Sequence, residues 1–190
     1  MPHHRHHKNE DLIEIFQQTF YHQYQTKLVK GDGEPIYLPG GDAHSDHRIV
    51  FAHGFYASAL HEISHWLVAG AQRRKLEDFG YWYNPDGRTV VQQQTFESVE
   101  VKPQAIEWSL SVAAGFDFNA SCDNLDGEQE PDRLAFQHKV YQQVATFLKS
   151  GFPKRTQQLI DALSAYYQTT KPTSLTQFEF DGLTELEPCL

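Results

Sequence analysis

The sequence predicts an α+β fold: one helix-rich domain with a small central sheet, whose middle helix carries the motif HExxH. Three observations lead there. Apolar residues recur at helical spacing in most of the longer segments. Short β-type runs occur only in the first half. The stretch FYASALHEISHWLVAG puts His61 and His65 four residues apart with Glu62 between them.

The first ten residues, with His3, His4, His6 and His7, read as a disordered, His-rich N-terminus that binds metal only loosely. From Asp11 to Val29, Leu12, Phe16, Phe20 and Leu28 follow a four-residue period, which predicts a helix ended by Gly31-Asp-Gly33. Ile36-Tyr-Leu38 is a strand before the Pro39-Gly-Gly41 loop, and Arg48 to Gly54 is a strand running into the HExxH helix. Gly80 to Gly87 reads as an aromatic strand entering a turn. Pro103 suits the first position of a helix that reaches Ala114 and stops at Gly115. The acidic, turn-rich stretch 122–131 precedes two helices, about Pro131 to Lys149 and Lys154 to Tyr167. Residues 11–170 therefore form a single catalytic metal-binding domain, and 171–190 a loosely structured tail.

The net charge of −9 and a pI near 5.6 argue against nucleic acid and anionic membrane as partners and suit a cationic one. No apolar run is long enough to span a bilayer and the N-terminus has no signal-like apolar core, so no membrane partner is expected. Two cysteines, Cys122 and Cys189, form no disulfide framework, and a cytoplasmic location follows.

At 100° per residue, His65 lies about 40° from His61, while Ile63, Trp66, Leu67 and Gly70 fall on the opposite side. The helix buries its back and turns both imidazoles to one metal ion. A carboxylate is needed as third ligand, and Glu97, Glu100 and Glu107 all follow. Glu107 lies a turn past Pro103. In an extended segment Glu100 would point opposite to Val99 and Val101, which favours it without deciding the choice. Two histidines and a carboxylate serve either hydrolysis at Zn2+, with Glu62 as general base, or oxygen chemistry at Fe2+.

Weaker candidates accompany this motif. His44-Ser-Asp46 with His138 forms an HxD…H set, although His44, Asp46 and His47 read better as surface loop. His53 is either a pocket-lining or a hydrogen-bonded structural histidine. Tyr81, Trp82 and Tyr83 wall a substrate pocket or fill core, and the carboxylates of 122–131 steer a cation or are only solvated.

Several blocks taken in order, GDGEPIYLP, RIVFAHGFYASALHEISHW, DFGYWYNPDGR, FESVEVKPQA and the run ending SCDNL, together resemble the elongation factor P hydroxylase family from about Asp11 to Tyr167. The resemblance implies an iron-dependent hydroxylase acting on one lysine of elongation factor P already extended by a β-lysyl group, the last step of that modification. It implies His61, His65 and Glu100 as metal ligands, with Glu97 in reserve. Glu62 is a catalytic candidate of undefined role, Fe2+ the metal (with Zn2+ able to replace it in a purified sample), O2 the cosubstrate and elongation factor P the partner. Hydroxylating an unactivated carbon requires oxygen activation, for which redox-silent zinc is unsuitable. The alternative is a cytoplasmic zinc metallopeptidase using Glu62.

Overall fold

The computed structural model describes residues 6–41, 45–78 and 86–180. The order is α1 (Asn9–Tyr24), β1 (Thr26–Lys30), β2 (Ile36–Leu38), β3 (His47–Phe51), α2 (Tyr56–Val68), α3 (Val90–Ala114), α4 (Arg133–Ser150) and α5 (Lys154–Tyr167). Short 3₁₀ turns lie at Arg73–Lys75 and Leu175–Gln177. This is the expected helix-rich α+β architecture.

The sheet has the order β1-β3-β2, with β1 parallel and β2 antiparallel to β3. Leu28 opposite Ile49 sets the β1–β3 register, and Tyr37 pairs with Ile49 on the other edge. Tyr37 also exchanges backbone hydrogen bonds with Asp78, at 2.7 and 3.0 Å, so the chain leaving α2 returns to the open edge of β2. That closes an edge which would otherwise present unpaired amides.

Helix α1 stops five residues short of the predicted Val29. Gln25 takes a left-handed conformation (φ 46°) and donates its N–H to Tyr21, and the chain then extends. Leu28 happens to continue the helical period of Phe16 and Phe20, but the β-branched Thr26 and Val29 favour a strand, and β3 supplies its partner. The N-terminal stretch expected to be disordered is placed from His6 onward. His7 Nε2 donates to the Ala114 carbonyl (2.9 Å), and the ring sits among those of Tyr56, Phe116 and Tyr167. At the other end Phe178 is fully buried and Phe180 packs beside Trp108 and Tyr141, so the tail is anchored as far as 180.

Helix α3 is the axis of the molecule and packs on α2, α4 and α5. It begins not at Pro103 but at Val90, behind a capping box in which Thr89 and Gln92 satisfy each other's backbone N–H groups. Pro103 lies inside it, leaving the Val99 carbonyl without its usual helical donor. The expected strand around Tyr81, Trp82 and Tyr83 falls outside the described residues.

The candidate metal centre

The turn between β3 and α2 is sharp: His53 and Gly54 both have positive φ, 52° and 71°. It brings the chain directly from the sheet into α2, whose Leu60, Ile63, Trp66 and Leu67 are buried. Gly70, expected on the buried back, is exposed and beyond the helix end at Val68. His53 is exposed on the turn, its ring near Phe55.

Two arginines hold the far end of α2. Arg155 donates to the carbonyls of Trp66, Leu67 and Ala69 at 2.7–3.1 Å and lies 4.5 Å over the Trp66 ring. Arg74 also donates to Ala69. A cation at a helix C-terminus completes its last carbonyls and opposes its dipole. Burial, with Arg74 beside it, lowers the Arg155 pKa to about 10, so it stays charged at neutral pH.

On α3, Gln93, Glu97, Glu100, Gln104, Glu107 and Ser111 are all buried. They repeat at spacings of four and three, which aligns them along one face. Helix α2 runs antiparallel to this polar stripe: His65 meets Glu100, and His61 meets Glu107. The Nε2 atoms of His61 and His65 lie 3.0 Å apart. Glu100 reaches both, at 3.3 Å to His65 and 3.8 Å to His61. Donor atoms from His61, His65 and Glu100 all fall within 4.8 Å of one another, the spacing that lets them converge on a single ion. A divalent cation that accepts imidazole and carboxylate fits this donor set.

Glu107 has a different position. Its Oε2 is 2.8 Å from His61 Nδ1, on the side of the ring away from Glu100. A carboxylate there fixes the ring and leaves Nε2 facing His65 and Glu100. Glu97 is further along the stripe and bonds Lys139 (3.1 Å) and Gln93 (3.3 Å). Gln104, which the sequence reading passed over, donates to Glu100 Oε2 and makes a two-point bond with the Ser121 backbone, at 2.6 and 3.0 Å. Arg88 is a further omission. Fully buried, it binds Gln93 Oε1 (2.7 Å) and the Asp123 carbonyl, and its own backbone is clamped in both directions by Asn124. The acidic stretch after Cys122 is therefore tied down along its first residues rather than simply solvated.

The carboxylates share charge unevenly. Burial opposes a charged His61, but Glu107, Glu100 and Glu62 outweigh it and bring its pKa up to about 10 in the metal-free protein. Burial likewise opposes ionised Glu100, yet the hydrogen bond and charge of His65 and the charge of His61 hold it at about 2. Burial raises the Glu62 pKa. Glu62 and His65 line a small cavity of about 30 Å³ with Tyr37, Trp66, Arg74 and Asp78.

Of the HxD set, the described members Asp46 and His138 have other neighbours. Asp46 bonds Lys27 (2.6 Å) and Tyr21 (2.7 Å), while His138 packs edge-on to Phe180; His44 lies outside the described residues. Asp46 is buried rather than a surface-loop residue, and His47 begins β3 and accepts from the Gly40 N–H (2.8 Å).

Comparison with known proteins gives this arrangement a context. The sequence profile of the elongation factor P hydroxylase family matches residues 15–178. The chain belongs to the elongation factor P hydroxylase family. The match extends beyond the expected end at Tyr167 to include the buried Phe178. Among its relatives is the elongation factor P lysine hydroxylase of Haemophilus influenzae, 56% identical over 173 residues, covering 91% of this chain and 97% of that protein.

Proposed function

We propose that the chain is an iron-dependent hydroxylase that adds a hydroxyl group to the β-lysylated lysine side chain of elongation factor P, the final step of that modification. The observation that carries this reading is the convergence of His61, His65 and Glu100 in a member of a hydroxylase family. Glu100 and the two Nε2 atoms would hold one Fe2+. Bound there, Fe2+ supplies the redox chemistry by which O2 is activated. One oxygen atom enters a C–H bond of the substrate and the other leaves as water, so each turnover consumes two electrons from an external reductant and two protons.

The chain's own residues prepare the site. Glu107 orients His61 through Nδ1. Gln104 fixes the Glu100 carboxylate and ties it to the 121 segment. Glu62, on the wall of a cavity large enough for a water or a diatomic molecule, is placed to hold or move a proton beside His65. No helix among the described residues is long and apolar enough to cross a membrane.

The test is reconstitution. Protein loaded with Fe2+ and given β-lysylated elongation factor P, a reductant and air adds one oxygen atom to the factor. Protein loaded with Zn2+ does not. Peptide cleavage by the zinc form without oxygen would replace this reading with the metallopeptidase.

A further inference from the structure

One cleft reaches His65 toward the C-terminal end of α2 and another reaches Glu107 and Ala57 toward its N-terminal end, and they differ in size and charge. The cleft at the C-terminal end, beside Glu62 and His65, is the cavity of about 30 Å³. It contains Arg73 and Arg74 as well as Glu62 and Asp78, so its formal charges cancel. The cleft at the N-terminal end measures about 490 Å³ and is lined by His7, Ala57, Glu107, Phe116, Asp117 and Asn119, with Gly115 at its edge. Its carboxylates are Glu107 and Asp117, and among the described residues neither lysine nor arginine lines it.

The larger cleft borders the candidate centre through Glu107, on the Nδ1 side of His61. Ala57 precedes His61 by one helical turn on the same face of α2, and Glu107 holds His61 at 2.8 Å. Asp117 lies ten residues beyond Glu107, just past the end of α3 at Ala114. It is exposed and takes part in no hydrogen bond or ion pair among the described residues. Glu107, by contrast, is already engaged with His61. Phe116 offers an apolar wall between them, steadied by Tyr56 and by His7. An aliphatic stem with an ammonium end matches such a lining: the stem against the ring, the charge at the carboxylate. The volume is within the ordinary range of ligand pockets, whereas the other cavity admits little more than one water.

We infer that the Phe116–Asp117 cleft, not the Arg73–Arg74 side, receives the cationic substrate side chain, and that Asp117 binds an ammonium group of its aminoacyl extension. This rests on the hydroxylase reading for the identity of the substrate. A β-lysyl group replaces the single lysine ammonium with two amines on a longer chain, so an acid at the cleft mouth favours the extended side chain over the unmodified one.

The experiment is equilibrium binding of iron-loaded protein to three probes: β-lysylated elongation factor P, the same factor with its β-lysyl amines acetylated, and the unmodified factor. Asp117→Asn weakens binding of the β-lysylated factor at least tenfold and barely changes binding of the acetylated one. Asp117→Glu keeps most of the affinity, Glu14→Gln on α1 changes nothing, and iron content is equal in all. Equal affinity of Asp117→Asn and wild type for the β-lysylated factor, or equal losses for the charged and acetylated forms, would overturn the assignment. Wild-type protein that discriminates through Asp117 but adds no oxygen would overturn the hydroxylase reading and leave the cleft assignment standing.

Discussion

The division of labour between Glu100 and Glu107 depends on which ring nitrogen each one meets. Glu100 faces the Nε2 side of both imidazoles, and Glu107 takes Nδ1 of His61. A ligand and an orienting group respond differently to substitution. His61→Ala, His65→Ala and Glu100→Ala are expected to abolish stoichiometric iron binding. Glu107→Gln retains it with affinity lowered by roughly 10- to 100-fold. Metal titration of the four variants checks this, and an undiminished Glu100→Ala would move the carboxylate ligand elsewhere. The pH response of the metal-free protein follows from the same contacts. His61 is raised from 6.5 to about 10, so its contribution to stability is complete below pH 6.5 and fades as pH rises through 10. Glu100 is lowered from 4.5 to about 2, so its contribution is complete above 4.5 and fades as pH falls through 2. Denaturant midpoints of metal-free wild type and His61→Ala are therefore expected to differ most between pH 4.5 and 6.5 and to converge as pH rises through 10. If the proposed site takes iron, uptake at pH 7 is expected to release the His61 proton, which an unbuffered titration would register.

Helix α2 was legible in the sequence because its two histidines and its apolar residues obey one period. Helix α3 was legible only in its second half. Its buried face in the first half consists of Gln93, Glu97 and Glu100, residues that read as solvent-facing, and Pro103 imitates a helix start. Glu100, expected in an extended segment, lies inside a helix, and helical spacing rather than alternation aligns it with Gln104 and Glu107. A repeat of four and three can be sought among polar residues as well as apolar ones, and that search would have picked out the stripe. Gln104 and Arg88 remained hidden because their partners are backbone groups of 121–124, which no local pattern announces. Replacing Gln104 with Leu removes both Ser121 bonds and the bond to Glu100. It is expected to cost about 2 kcal/mol and to weaken iron binding. At the other helix, Arg155→Met removes three carbonyl contacts and the stacking on Trp66, an expected loss on the order of 3 kcal/mol by urea denaturation.

Across the whole molecule, α3 connects the buried Arg88 cluster at one end, the candidate centre at its middle and the Phe116–Asp117 cleft at its C-terminal end. Stability of the 120–124 segment and order of the centre are thereby linked. Cys122 reports on that link: the residue is buried, its carbonyl accepts from Gln93, and burial pushes its thiol up to about 11. In a Cys189→Ser background, alkylation of Cys122 at neutral pH is expected to track unfolding, and faster labelling would place the segment outside the core. The measurement that bears most directly on function is the mass of β-lysylated elongation factor P after turnover by the iron-loaded protein under heavy-isotope dioxygen. One heavy oxygen atom on the modified lysine side chain is expected. Label drawn from water instead, or no oxygen gained by folded, iron-loaded and reduced protein, would contradict it.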